Sequence, residues 1–226
     1  MKAIIQNNDQ IKVPASKTQT SWWVPVGLIF LSIIPLIFGA LRLNELANGA
    51  EITPGNARFF ASPSPVVIHI IASAVYALLG ALQFVGRLWQ RGSKWHRWVG
   101  RFLVPVGLLV GFSGVWMTLF YPRTHVLLFT FRLIFGSGMI LSIILGYISI
   151  LGRNVSQHQA WMTRAYALGL GAGTQVFTGI VGALILCTPN EFQNALLNGA
   201  AWVINLAVAE WSIRKSSIKP VRQTLI

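Results

Sequence analysis

Six long apolar runs, separated by polar connections, divide the chain. The runs lie at about 22–41, 65–86, 100–121, 126–151, 164–187 and 194–212. Each is long enough to cross the hydrocarbon core of a bilayer, about 30 Å thick, as an α-helix. Because most of the connections are short, we expect neighbouring helices to pack antiparallel. The pattern predicts an all-α polytopic integral membrane protein whose core is a six-helix transmembrane bundle.

Polar segments precede, interrupt and follow the transmembrane domain, which covers residues 22–212. Residues 1–21 form a polar tail and residues 213–226 form a basic one. The connection at 42–64 is the one link long enough to carry local structure. The first run begins with two tryptophans at the expected depth of a membrane interface and exceeds the core of a typical signal peptide. We therefore interpret it as a span, with a cleaved signal peptide as the alternative.

The composition excludes a soluble domain. Hydrophobic residues make up 54% of the chain and charged residues only 10%, whereas the charged fraction of soluble domains approaches about a quarter. The net charge of +13 suggests nucleic acid at first, but no soluble basic face exists to bind it. Cys187 is the single cysteine, which excludes a disulfide within the chain and a multi-cysteine metal site. The expected partner is membrane lipid.

Lysine and arginine concentrate in alternate connections, which sets the predicted orientation. One side holds Lys2, Lys12, Lys17, Arg87, Arg91, Lys94, Arg97, Arg101, Arg153, Arg164, Arg214, Lys215, Lys219 and Arg222, and the other holds Arg42, Arg58 and Arg123. Positively charged loops stay in the cytoplasm. We therefore predict a multi-pass protein of the bacterial inner membrane with both termini cytoplasmic, an N-in/C-in topology.

The four histidines are the main functional clue, because each lies near the N-terminal end of a different run. They are His69, His96, His125 and His158. Since successive spans alternate in direction, His69 and His125 are expected near the outer face, and His96 and His158 near the cytoplasmic face. One imidazole from each of two facing helices is what a b-type haem needs for its iron. A copper or zinc site would need three or four ligands at one point, which two separated pairs do not supply.

A glycine follows each histidine at a distance of eleven residues. These glycines are Gly80, Gly107, Gly136 and Gly169. Eleven residues are about three helical turns, or about 16 Å, so each glycine is expected on nearly the same face at the depth of the haem in the opposite leaflet. The missing side chain would let a flat macrocycle approach the backbone. Close packing of membrane helices is the alternative explanation.

Arg132 is the ion inside the fourth run, two turns after His125. An ionised group at this depth is costly unless it is paired, so a haem propionate is its candidate partner. The alternative is an arginine that bridges helices or extends its charge to the interface.

Residues 96–100, His-Arg-Trp-Val-Gly, resemble a segment at the start of the third helix in the cytochrome b-561 family. Those proteins have six membrane helices, and helices two and four hold an outer haem while helices three and five hold an inner one. The resemblance implies two haem b groups, with His69 and His125 as one axial pair and His96 and His158 as the other. It also implies transmembrane electron transfer, for which we expect a cytoplasmic reductant or quinol as the donor.

A second resemblance is to an uncharacterised bacterial family, domain of unknown function 2306, described as a predicted membrane protein. The segments that carry it are His-Ile-Ile-Ala at 69–72, Gln-Phe at 83–84, His-Arg-Trp-Val-Gly-Arg at 96–101 and His-Gln-Ala-Trp-Met-Thr-Arg at 158–164. The resemblance covers about residues 58–190. It implies a membrane location and supplies no chemistry.

Two functional hypotheses follow. The first is a membrane oxidoreductase that acts as a transmembrane electron carrier, with no catalytic side chain of its own identified. The second is a protein without haem, either a small-solute or proton-coupled transporter or an assembly partner, in which the histidines form a polar relay. A homo-oligomer stays open under both hypotheses.

Overall fold

The structure is a computed structural model that describes residues 22–85, 94–122 and 125–217. Within these ranges the chain forms helices and no strand. The helices are α1 Trp23–Asn48, α2 Ala57–Ala61, α3 Pro63–Leu82, α4 Lys94–Phe120, α5 Val126–Leu151, α6 Val155–Gly169, α7 Gly171–Leu186 and α8 Glu191–Ser217. The predicted tail 1–21, residues 218–226 of the second tail, Gly86 at the end of the second run, and Arg87, Arg91 and Arg123 of the charge pattern lie outside the described residues. The described chain is all-α, as predicted.

Five of the helices, α1, α3, α4, α5 and α8, are long and apolar enough to cross a membrane. The pair α6 and α7 meets the same criterion together, but its two halves meet at an angle of 47°. The described residues therefore contain five candidate spans, or six when the bent pair is taken as one. The fifth apolar run was predicted as a single span at 164–187, whereas its first helix begins at Val155 and the break falls at Leu170.

The break between α6 and α7 has a local cause and a specific partner. Gly169 and Gly171 flank Leu170, and glycine is a weak helix former because its backbone has the most freedom to lose. On the turn before the break, the carbonyl of Ala167 accepts a hydrogen bond from Asn205 Nδ2 of α8 at 3.0 Å. On the turn after it, Thr174 Oγ1 donates to Asn205 Oδ1 at 2.7 Å. A single amide of α8 thus ties both halves of the bent pair together.

The helices α3 and α4 are antiparallel, as predicted for neighbouring spans. Three contacts between α3 and α4 show it, because the residue numbers rise on one helix as they fall on the other. Tyr121, just after α4, donates its hydroxyl proton to the carbonyl of Ser62 at 2.7 Å. His69 lies against Ser113, and further along α3 the ring of Tyr76 lies against Gly107. This arrangement brings the start of α4 beside the end of α3, where a cavity lies.

Arg164 of α6 and Glu210 of α8 form an ion pair with two hydrogen bonds, one from Nε to Oε1 and one from Nη2 to Oε2 at 3.1 Å. We expect Glu210→Gln to lower the free energy of unfolding by about 1 kcal/mol, because Arg164 loses its charged acceptor while partly covered. Thermal unfolding in detergent of the two single variants and of Arg164→Gln/Glu210→Gln would measure the coupling. The double variant should lose less stability than the two single losses added together, and simple additivity would contradict a coupled pair.

Candidate functional site

His96 and His158 line one cavity of about 980 Å³, at the end of the bundle where α4 and α6 begin. The two rings are close enough to interact electrostatically. This volume is within the range of cofactor and ligand sites in proteins. Of the four histidines, the structure brings these two together, in the combination that the sequence predicted for the cytoplasmic face. We call this space the His96–His158 cavity.

The ring of His158 is held by a hydrogen bond that fixes its tautomer. Its Nδ1 lies 2.8 Å from the carbonyl oxygen of Gly146 in α5. Because a carbonyl oxygen only accepts, Nδ1 carries the proton and Nε2 of the neutral ring keeps its lone pair. Histidines that bind a metal are commonly oriented by such a bond to a backbone carbonyl. His158 therefore has the protonation pattern of an axial ligand.

Polar and basic groups form part of the largely apolar wall of the His96–His158 cavity. Arg97 and Arg101 lie on its wall, and the guanidinium of Arg101 lies 6.0 Å from the ring centroid of Trp98. Both polar atoms of the Gln83 amide are buried and form no hydrogen bond within the described residues. A ligand with anionic groups and an apolar body would find complementary groups here.

A second cavity of about 690 Å³ contains His69, Arg58 and Arg132 on its wall. Nδ1 of His69 lies 3.2 Å from the carbonyl oxygen of Val110 and 3.0 Å from Ser113 Oγ. The Ser113 hydroxyl donates its own proton to backbone carbonyls of α4, so its oxygen accepts from His69. As in His158, the proton lies on Nδ1 and the lone pair on Nε2. We call this space the His69 cavity.

His125, the predicted partner of His69, lines neither of these cavities. It is the residue before α5, and its Nδ1 accepts a hydrogen bond from the backbone N–H of Leu127 at 3.2 Å. Its ring packs edge-on against Phe192 of α8, with 6.2 Å between the centroids. Since Nδ1 accepts, the neutral ring carries its proton on Nε2, opposite to His69 and His158. The structure thus uses His125 as a helix cap and does not bring the outer pair together.

The four predicted glycines are placed in three different ways. Gly80 lines the His96–His158 cavity, Gly136 and Gly169 line the His69 cavity, and Gly107 lines neither. Gly80 and Gly169 are therefore in the cavities that the sequence assigned to them. A Cβ added at Gly136 would lie 3.0 Å from Val115 Cγ2, across the contact between α4 and α5.

Tyrosine rings occupy the space beside the other three glycines, a use that the sequence did not suggest. A Cβ on Gly80 would lie 2.9 Å from Tyr166 Cδ2, and one on Gly107 would lie 2.6 Å from Tyr76 Cε2. A Cβ on Gly169 would lie 3.1 Å from Tyr76 Cε1. The two rings are buried with 5.7 Å between their centroids. They pack in the core and border the His96–His158 cavity.

Arg132 lies on the wall of the His69 cavity, together with Arg58 of α2. The two guanidinium groups line the same cavity, within the range at which their charges interact. Burial raises the pKa of the Tyr121 phenol, and the charge of Arg58 opposes that rise. The sequence analysis placed Arg58 in the 42–64 connection, on the non-cytoplasmic side of the membrane, and assigned it no function. Nothing in the sequence of this connection, which is rich in proline and glycine, indicates that Arg58 lines a cavity between the helices.

The family described as "Predicted membrane protein (DUF2306)" matches residues 66–213. No curated protein and no solved structure gives a significant match. The matched range contains all four histidines and nearly all of the bundle from α3 to α8. The matched range is well over half of the chain, which therefore belongs to the DUF2306 family of predicted membrane proteins.

Proposed function

We propose that the protein holds one b-type haem in the His96–His158 cavity and acts as an electron carrier in the membrane. The observation that carries the proposal is that His96 and His158, each near the start of a helix, line one cavity. The hydrogen bond from His158 to Gly146 supports it, because it leaves Nε2 with the lone pair that iron needs.

The lining of the cavity suits this group. Leu103, Ile143 and Phe84 provide apolar wall for a flat macrocycle, while Arg97 and Arg101 provide cations for its propionates. Bound haem would supply a one-electron redox centre. The residues of the chain would bind it, orient it and exclude water from its faces. Gln83 would gain a polar partner that it lacks among the described residues.

One haem is proposed rather than the two that the cytochrome b-561 resemblance implies. The His69 cavity contains a single histidine, because His125 caps α5 and packs against Phe192. With the predicted N-in topology, the His96–His158 cavity would face the cytoplasm. A cytoplasmic reductant or quinol is then the natural donor, and the basic residues around the cavity would attract it.

An absorbance spectrum of the detergent-purified protein tests the proposal. After expression in haem-replete cells, we expect a Soret band, a sharp α band on dithionite reduction, and one haem per chain by the pyridine haemochrome assay. A colourless protein would contradict the proposal and favour the transporter hypothesis. Two haems per chain would restore the outer pair and show that His125 leaves its capping position.

A further inference from the structure

Three arginines, Arg42, Arg58 and Arg132, lie at the end of the bundle that contains the His69 cavity. Arg42 forms an ion pair with Glu45 on α1. The guanidinium carbons of Arg42 and Arg58 lie 4.6 Å and 4.7 Å from the ring centroid of Phe59. Within the described residues, neither Arg58 nor Arg132 forms an ion pair. In the part of the chain that the structure describes, these two cations therefore have no carboxylate partner.

Both of these unpaired cations line the His69 cavity. Nε of Arg58 is buried and has no hydrogen-bond partner within the described residues. The charge of Arg58 also repels that of Arg132. A buried guanidinium nitrogen without a hydrogen-bond partner is costly, and arginines inside membrane bundles are normally paired. An anion between the two guanidinium groups would remove both the repulsion and the missing hydrogen bond.

The rest of the cavity wall is largely apolar. Leu36 of α1, Phe135 of α5 and Trp202 of α8 contribute to it, together with Gly39 and Gly173. A small hydrated anion would leave this apolar surface uncovered. An anion attached to a hydrocarbon chain would satisfy the arginines at one end and fill the apolar part with the other.

We infer that the His69 cavity binds an amphipathic anion, in which a phosphate or carboxylate lies between Arg58 and Arg132 and an alkyl chain lies along the apolar wall. This site is separate from the His96–His158 cavity and does not depend on haem there. A membrane phospholipid or a long-chain acid has the required chemistry.

Native mass spectrometry in a neutral maltoside detergent can measure this binding, with dodecyl phosphate as the probe. We expect one dodecyl phosphate per chain, and at least tenfold weaker binding to the Arg58→Gln/Arg132→Gln variant, because each lost charge-assisted hydrogen bond contributes substantially. Arg153→Gln is the matched control, since Arg153 is exposed at the end of α5 and lines neither cavity. It should bind as the unchanged protein does.

Further variants and a second probe distinguish this ligand from the alternatives. Arg58→Lys/Arg132→Lys keeps both charges and should bind more tightly than the glutamine variant, with circular dichroism showing equal helix content. Inorganic phosphate should bind at least tenfold more weakly than dodecyl phosphate, and equal affinity would overturn the inference. Loss of haem from the glutamine variant would also overturn it, since the arginines would then hold the propionates of a second haem. Equal binding of the probe to all variants would do the same.

Discussion

Replacing His158 with alanine is expected to abolish the sharp reduced α band and to lower haem occupancy at least tenfold. The alanine variant would lose both the proposed Nε2 ligand and the hydrogen bond from Nδ1 to the carbonyl oxygen of Gly146. Substitutions of groups that merely orient a metal ligand already cost tenfold to a hundredfold in affinity, so loss of the ligand itself should cost at least that much. His96→Ala should have the same effect because the two rings share one cavity. For both variants, the number of haem groups per chain measures occupancy and the reduced-minus-oxidised spectrum measures the α band.

His125→Ala is the control that makes this result specific. It removes the same side chain from a position outside both cavities, where the ring caps α5 and contacts Phe192. It should keep its haem while losing about 0.5–2 kcal/mol of stability, the usual value of an N-cap. Haem loss from His125→Ala with haem retained in His158→Ala would refute the assignment of the axial pair. His69→Ala should also keep the haem, because His69 lines the other cavity.

The sequence predicted the features that depend on the length of each apolar run and on the position of a residue along its helix. Apolar length predicted the helices, and the short connections predicted their antiparallel packing. Alternating direction then predicted that His96 and His158 lie at one end of the bundle. Both residues line one cavity, because α4 and α6 both contribute to its wall. Whether that cavity binds haem stays a prediction.

The sequence did not predict what depends on which way a side chain faces. His125 has a suitable depth for pairing with His69, but it lies just before α5, where its ring accepts a backbone hydrogen bond. The glycine spacing predicted room for a haem, whereas the rings of Tyr76 and Tyr166 fill the space beside Gly80 and Gly107. The depth of a residue along its helix follows from its number in the sequence. The direction in which its side chain faces depends on how the helix is rotated about its axis, which is set by packing with all neighbouring helices.

The bend at Leu170 was also beyond the sequence analysis, since no proline marks it. Glycines on either side lower the cost of a break but equally serve close packing of helices, which was the alternative explanation for Gly169. The signal that decides between them is Asn205, more than thirty residues away on α8. Such a distant partner becomes visible only when α8 is packed against the bent pair.

Gly173 provides the strongest packing test, because the backbone of another helix lies directly against it. A Cβ at this position would contact the carbonyl oxygen of Leu31 in α1 and would lie 3.1 Å from its carbonyl carbon and 2.8 Å from its Cγ. A side chain can rotate away, but a helix backbone moves only if the whole helix shifts. We therefore expect Gly173→Ala to destabilise the bundle by about 1–3 kcal/mol, the usual cost of overpacking.

Gly179→Ala is the matched control for this prediction, since Gly179 lies on the same helix, α7, and a Cβ there would meet nothing within 4 Å. Alanine is the better helix former by about 1 kcal/mol, so this variant should be as stable as the unchanged protein or more so. Thermal unfolding in one detergent compares the two variants directly. If both melt alike, α1 does not pack against α7 as described; if only Gly173→Ala melts several degrees lower, close backbone contact holds α1 to the bundle.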